Sequence, residues 1–288
     1  MRVLVLGAGG QVARAVASVM SGQHELFART HAEVDIADAE SLDRALAEAK
    51  ADWIVNGAAY TAVDLAEDER PRAAAINDTA VGAVAAAAAR ARARLLHLST
   101  DFVFDGASNR AYLPHDPPNP LSVYGATKLA GEKRALDGGC AAIVLRTAWV
   151  YAAAGKNFVL TMLRLMRERE QVRVVADQIG TPTWATGIAC AIRDLLEAQA
   201  PAGVYHWTDL GVASWYDFAV AIQDEALERG LLKRAVAIVP IATSEYPTRA
   251  RRPAFSVLDS SATRDIVAAP ALHWRHNLRM MLDELRAA

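Results

Sequence analysis

The stretch Arg2-Val-Leu-Val-Leu-Gly-Ala-Gly-Gly-Gln-Val-Ala13 decides the fold. Val3 to Leu6 is a short aliphatic run with no polar alternation, the pattern of a strand covered on both faces. It runs straight into glycines, after which Val12, Val16, Val19 and Met20 recur at helical spacing and Ser21-Gly22 closes the segment. A strand, a glycine turn and a helix in that order form the place where a dinucleotide pyrophosphate lies against free amides at a helix N-terminus. Gly7 suits the tight turn, Gly10 lets the backbone approach the pyrophosphate, and Ala13 is small enough for helix and sheet to pack closely. A glycine turn without a ligand is the plainer reading of such a motif; the flanking strand and helix are what favour the cofactor.

Working outward, the same alternation repeats. His24 to Ala28, Trp53 to Val55, Leu95 to Leu98 and Ala142 to Arg146 read as strands, and Ser41 to Lys50, Arg70 to Arg92 and Val123 to Leu136 as helices. This predicts an α/β fold of Rossmann type, a doubly wound parallel sheet with helices on both faces. A loop rich in proline, Leu113 to Pro120, is a natural rim for a site. Beyond Tyr151 the order is less regular: helices at Phe158 to Glu170, Trp184 to Ala198 and Trp215 to Arg229, strands at Val172 to Val175 and Val204 to Trp207, and a terminal amphipathic helix at Arg275 to Leu285. We therefore expect a dinucleotide-binding domain over 1–150, with later segments interleaved, and a smaller C-terminal α/β substrate-binding cap over 151–288. No Gly/Ser-rich or charged linker separates them, so the two are expected to pack as one unit.

In a dinucleotide fold the end of the second strand meets the adenosine ribose, and an acidic residue there suits its 2′-hydroxyl. Here it reads Phe27-Ala-Arg-Thr-His31, and Arg29 suits a 2′-phosphate, which favours NADPH and leaves NADH as the alternative. A solvent-facing arginine at a strand end is the competing reading. Asp35-Ile36 lies where the chain turns back toward the sheet, at the adenine or simply in a turn before the next helix. Further along, Tyr124-Gly-Ala-Thr-Lys128 puts a phenol and an ammonium one turn apart on a helix face. Carbonyl reduction needs a proton donor as charge grows on oxygen, and a phenol becomes a workable shuttle when a cation sits beside it. Such pairs also occur by chance on helix surfaces. Leu98-Ser-Thr-Asp-Phe-Val-Phe-Asp-Gly106, at the carboxyl end of the fourth strand, adds Ser99 and Thr100 hydroxyls where ligands lie in such sheets, although strand-end capping is their commoner use.

Together these segments resemble the extended short-chain dehydrogenase/reductase superfamily and, within it, the dTDP-4-dehydrorhamnose reductases. The likeness runs along nearly the whole chain through Gly7 to Val12, Val55 to Asp64, Ser99 to Phe104, Val123 to Glu132, Arg146 to Tyr151, Asp177 to Thr183 and Arg252 to Ser256. It implies reduction of the C4 carbonyl of dTDP-4-dehydro-6-deoxy-L-mannose to dTDP-L-rhamnose, with Tyr124 as proton donor, Thr100 on the substrate carbonyl, and Lys128 on the nicotinamide ribose and lowering the tyrosine's pKa. It also implies that Gln11, Val12, Ala59, Tyr60, Thr61 and Leu98 line the cofactor and that Asp101 and Trp149 contact the deoxyhexose, the indole offering it a flat apolar face. A core role is the plain alternative for Trp149. Phe255 stands where the family pattern has asparagine, so a polar contact from that loop is expected to be missing. Some members are dimers bridged by magnesium through glutamates; those glutamates have no match here, so no metal is assigned, and a homodimer stays open. Another sugar-nucleotide reductase or an NAD-retaining epimerase, and a nucleotide-binding regulatory subunit like that of methionine adenosyltransferase, are the competing readings.

Composition sets the bounds. The 288 residues, 53% hydrophobic and 22% charged, suffice for a full α/β core. A net charge of −2 disfavours nucleic acid as a partner while leaving a nucleotide sugar open. Cys140 and Cys190 have no metal or redox spacing, and His97, His115 and His206 have neither metal spacing nor an evident nucleophile partner. No run reaches the length of a membrane span and no leader pattern opens the chain, so a cytoplasmic location is expected.

Overall fold

The computed structural model describes residues 1–287. Its elements, in chain order, are β1 (Arg2–Leu6), α1 (Gln11–Met20), β2 (Glu25–Arg29), α2 (Ala39–Ala49), β3 (Trp53–Asn56), α3 (Val63–Ala66), α4 (Arg70–Ala74), α5 (Ala80–Ala91), β4 (Arg94–Thr100), α6 (Val123–Asp137), β5 (Ala142–Thr147) and β6 (Val150–Tyr151). There follow α7 (Phe158–Glu168), β7 (Gln171–Val175), β8 (Ile179–Gly180), β9 (Thr183–Trp184), α8 (Ala185–Glu197), β10 (Gly203–His206), β11 (Ala213–Ser214), α9 (Trp215–Glu228), β12 (Ala237–Ile241), α10 (Ser261–Arg264) and α11 (Trp274–Ala287).

Six strands form one parallel sheet in the order β10-β5-β4-β3-β1-β2. Because side chains alternate along a strand, β1 sends Leu4 and Leu6 into one core with α2 and α5, and Val3 and Val5 into another with α1 and α8. Both faces are thus dry, as the unbroken aliphatic run requires. The chain leaves β1 toward β2 on one side and returns to β3 on the other. The strand order therefore reverses between β1 and β3, and the crevice above that point is where open α/β sheets take ligands.

A third core lies among Tyr151, α7, β7, α9 and α11, where Phe218, Leu278, Met281 and Leu282 are fully buried. Its strands β7 and β12 pair in parallel. β12 is not anticipated from the sequence, since Pro240 argues against a strand interior; it survives here in a sheet of only two strands, at an edge. The single long helix expected over Arg70 to Arg92 is instead two helices joined by a π-helical turn, Ala75–Thr79. Among the described residues no helix is long and apolar enough to cross a membrane.

Candidate active site

The glycine turn lies at the reversal point. Gly7 has φ +76°, and a Cβ on it would come within 2.7 Å of the Ala58 amide nitrogen, so only glycine lets β1 and β3 close up here. Gly10 precedes α1 in an extended conformation and no side chain caps the helix. Its first backbone bond of this kind runs from Arg14 N to Gly10 O at 3.0 Å, which leaves the amides of Gln11, Val12 and Ala13 without a helical acceptor. An uncapped amide cluster beside a close backbone approach fits a pyrophosphate. Val12 packs partly into the core beneath, and Gln11 reaches across to accept from Asn157 Nδ2 at 2.9 Å.

The remaining expected cofactor residues sit differently from one another. Arg29 is at the end of β2 beside the glycine turn, but its guanidinium is paired with Glu48 at 2.8 Å. Asp35 is exposed and accepts from Ala37 N at 2.9 Å, whereas the Ile36 side chain is buried in the core with Val34, Leu42 and Leu46 and turns no apolar surface to the crevice. The segment Ala59-Tyr60-Thr61 follows β3, with Ala59 and Tyr60 half-buried and Thr61 exposed. It is held by Asn77, whose side chain accepts from Tyr60 N at 2.8 Å and donates to Tyr60 O at 3.0 Å and to Thr127 Oγ1 at 3.2 Å. Asn77 lies in the π-helical turn, and the widened turn is what aims it. Sequence reading missed it, because an asparagine inside a helical run leaves no signal of a π turn.

α6 begins with Ser122 as N-cap, accepting from Gly125 N at 3.1 Å. A Cβ at Gly125 would run into the Phe102 carbonyl oxygen, so this glycine lets the helix start sit directly on the turn Asp101–Val103. Tyr124 is thereby brought beside Thr100 and Asp101, with Phe102 edge-on to its ring at 5.6 Å. Dehydration of the phenol pushes its pKa up to about 12, the Asp101 charge adding to this and the Thr100 hydroxyl opposing it. Thr100 Oγ1 donates to Asp101 Oδ1 at 3.0 Å, while Asp101 Oδ2 is buried without a partner. Burial holds Asp101 up at about 6, against the nearby hydroxyls of Ser256 and Thr100. A buried carboxylate oxygen left without a partner gains from any ligand hydroxyl that can reach it.

Lys128 is one turn along from Tyr124, as expected, but its Nζ does not meet the phenol. It donates to Leu98 O at 2.6 Å and lies 3.2 Å from His97 Nε2, and burial lowers its pKa to about 8. Trp149 stands after β5 with φ +46° and is stacked on Trp215, centroids 3.5 Å apart and planes 3° apart. One face of the indole is therefore covered by protein, and Gly180 lies against its edge so closely that a Cβ there would meet Nε1 and Cε2 at 2.5 Å. Trp215, which in turn donates to Gln178 Oε1 at 3.2 Å, was not anticipated. Phe255 packs partly against the small core of Val103, Phe104, Tyr112 and Leu258, an apolar setting for the position where an asparagine is expected. Among the described residues no group of three His, Cys, Asp or Glu is placed to hold a metal ion.

Comparison with known proteins agrees along the whole chain. Residues 1–287 match the family model described as RmlD substrate binding domain. A dTDP-4-dehydrorhamnose reductase of Burkholderia thailandensis is 42% identical, with 99% of each chain covered. The enzyme of that name from Escherichia coli K12 is 40% identical over 99% of this chain and 98% of its own. A crystal structure of dTDP-4-dehydrorhamnose reductase from Bacillus anthracis in complex with NADP superposes with a TM-score of 0.92 at 32% identity, covering 98% of this chain and 99% of the other.

Proposed function

The chain belongs to the dTDP-4-dehydrorhamnose reductase family, and from that premise we propose that it reduces the C4 carbonyl of dTDP-4-dehydro-6-deoxy-L-mannose to give dTDP-L-rhamnose, with NADPH as reductant and Tyr124 as proton donor. NADPH, when bound, supplies the hydride. The chain's own residues bind, orient and supply the proton. The amides at the start of α1 take the pyrophosphate, Arg29 leaves Glu48 for the 2′-phosphate, and Asn77 keeps Ala59 to Thr61 fixed against the cofactor. Lys128 holds the nicotinamide ribose, and the segments beyond Tyr151, with Trp149 and Trp215, receive the nucleotide sugar.

The observation that carries this reading is the placement of the Tyr124 phenol beside Thr100 and Asp101 at the carboxyl edge of the sheet, one helix turn before Lys128. A phenol that keeps its proton at neutral pH is suited to giving it up only when an alkoxide forms. Thr100 turns its hydroxyl from Asp101 to the substrate oxygen, and Asp101 takes a sugar hydroxyl in exchange. Replacing Tyr124 with Phe removes the donor, and the rate of nicotinamide absorbance loss with the 4-keto sugar nucleotide is expected to fall by about two to four orders of magnitude with the fold unchanged. A rate equal to wild type would remove Tyr124 from the mechanism. Running the same assay with each cofactor separates NADPH from NADH, and Arg29→Ala should raise the KM for NADPH more than that for NADH.

A further inference from the structure

Thr100 and Thr147 close β4 and β5 at paired positions of the parallel ladder. Paired residues of neighbouring strands point to the same face, and the alternation says which one. Leu96 and Leu98 on β4, and Ile143 and Leu145 on β5, pack with α1 and α8, whereas His97 and Arg146 turn to Lys128 and Glu132 of α6. Both hydroxyls therefore lie on the α1 side of the carboxyl edge, the side on which the glycine turn opens. That side is continuous from β1 to β4, since Ala13 Cβ and Leu98 Cδ1 come within 3.4 and 3.5 Å of where a Cβ on Gly57 would stand.

The two hydroxyls are not equally occupied. Thr100 Oγ1 donates to Asp101 Oδ1 at 3.0 Å and accepts from Phe102 N at 3.2 Å. Thr147 is 7% exposed, and its Oγ1 has no hydrogen-bond partner among the described residues. An unpaired buried hydroxyl destabilises a fold, and a valine of the same shape would avoid that cost. A bound molecule that supplies the partner accounts for the threonine.

The place of Thr147 along the edge says which part of a ligand that is. From the amides of α1, beside the end of β1, a dinucleotide crosses β3 and brings its second ribose to Lys128, whose Nζ lies on the Leu98 carbonyl of β4. The nicotinamide is joined directly to that ribose and continues away from the pyrophosphate. The next strand in that direction is β5, about 4.8 Å further on, and Thr147 is its last residue. The ring bears one polar group, a carboxamide with a donor and an acceptor, and a hydroxyl can answer either.

We propose that the Thr147 hydroxyl binds the carboxamide of the nicotinamide and so fixes which face of the ring is turned to the sugar. This rests on the cofactor lying between the glycine turn and Lys128, as read above.

The test is equilibrium binding without substrate in Thr147→Val, which removes the hydroxyl and keeps the shape. Affinity for NADPH should fall about three- to tenfold, while 2′-phospho-ADP-ribose, the same molecule without its nicotinamide, should bind as it does to wild type. The denaturation midpoint of ligand-free Thr147→Val should be no lower than that of wild type. Thr147→Ala should show the same selective loss, and Thr147→Ser, which keeps a hydroxyl, should bind NADPH like wild type. Unchanged NADPH affinity in Thr147→Val would overturn the proposal, and so would an equal loss for 2′-phospho-ADP-ribose. A lower midpoint with unchanged affinity would also overturn it, giving the hydroxyl instead to a buried water shared with the unpaired Trp207 Nε1 just past β10. Wild-type protein that binds no NADPH would overturn the cofactor reading itself, and this inference with it.

Discussion

Gly125 has no side chain to contribute to chemistry, yet it sets where Tyr124 stands. With the Phe102 carbonyl in the space a methyl group would need, Gly125→Ala must push the start of α6 off the turn Asp101–Val103. The expected cost is about 1–3 kcal/mol of stability, read from denaturant midpoints, with a loss of kcat because the phenol moves with the helix. Asp101 makes a pH-dependent counterpart. An exposed aspartate ionises near 3.8, and in the fold this one keeps its proton up to about 6. The folded chain therefore binds that proton more tightly than the unfolded one, and the stability it gives is complete below about pH 4 and lost as the pH rises through 6. Asp101→Asn, neutral throughout, should be more stable than wild type at pH 8 by about 1–3 kcal/mol and no more stable at pH 4, while binding the sugar nucleotide less tightly. Melting curves at the two pH values check this, and an equal gain at both would mean that ionisation is not the cause.

At the scale of elements, α6 is the part on which the site is assembled. Its start carries Tyr124, its second turn Lys128, and its third Glu132, which is bound by Arg146 of β5 and by Ser99 of β4 in a fully buried cluster. This pair ties the helix to the two strands whose ends present the reacting groups. Arg146→Met leaves the Glu132 carboxylate buried without its cation and should cost about 3–5 kcal/mol, measured by chemical denaturation. The π turn before α5 serves the other wall of the crevice through Asn77. Asn77→Ala frees the Tyr60 backbone and should weaken NADPH binding about tenfold by titration calorimetry, with the circular dichroism of the helices unchanged. Much of this level was legible beforehand. The helical run at Val123, the hydroxyls at the end of β4 and the four-residue spacing of Tyr124 and Lys128 follow from periodicity and turn residues alone. What Lys128 touches was not legible, because its partners His97 and Leu98 come from a strand thirty or so residues away, and pairing across a sheet leaves no mark in local spacing. Ile36 shows the same limit: the residue lies where the chain turns back, but only packing decides that its side chain goes into the core.

For the whole molecule, the glycine turn and the alternation after it pointed to the parallel sheet from the sequence, since each strand and helix there carries its own signal, while the order of the strands came only with the structure. The later half was less readable. Its two-residue strands β6, β8, β9 and β11 are too short to show a period, and β12 hides behind Pro240. The later segments are nonetheless joined to the sheet: β10 completes it, α8 lies against α1, and Gln11 bonds to Asn157 at the start of α7. Cofactor bound at the glycine turn is thus expected to stabilise the chain as one unit. At a hundredfold excess over its Kd, NADPH should add about 2.7 kcal/mol and raise a single melting transition, whereas two transitions, only one of them shifted, would show the later half unfolding by itself. The parallel indoles of Trp149 and Trp215 have a consequence of another kind. Rings stacked so closely share their excitation, so the crevice carries its own optical reporter: a sugar nucleotide that parts them should brighten the emission and alter the near-ultraviolet dichroism, and in Trp215→Phe that change should vanish.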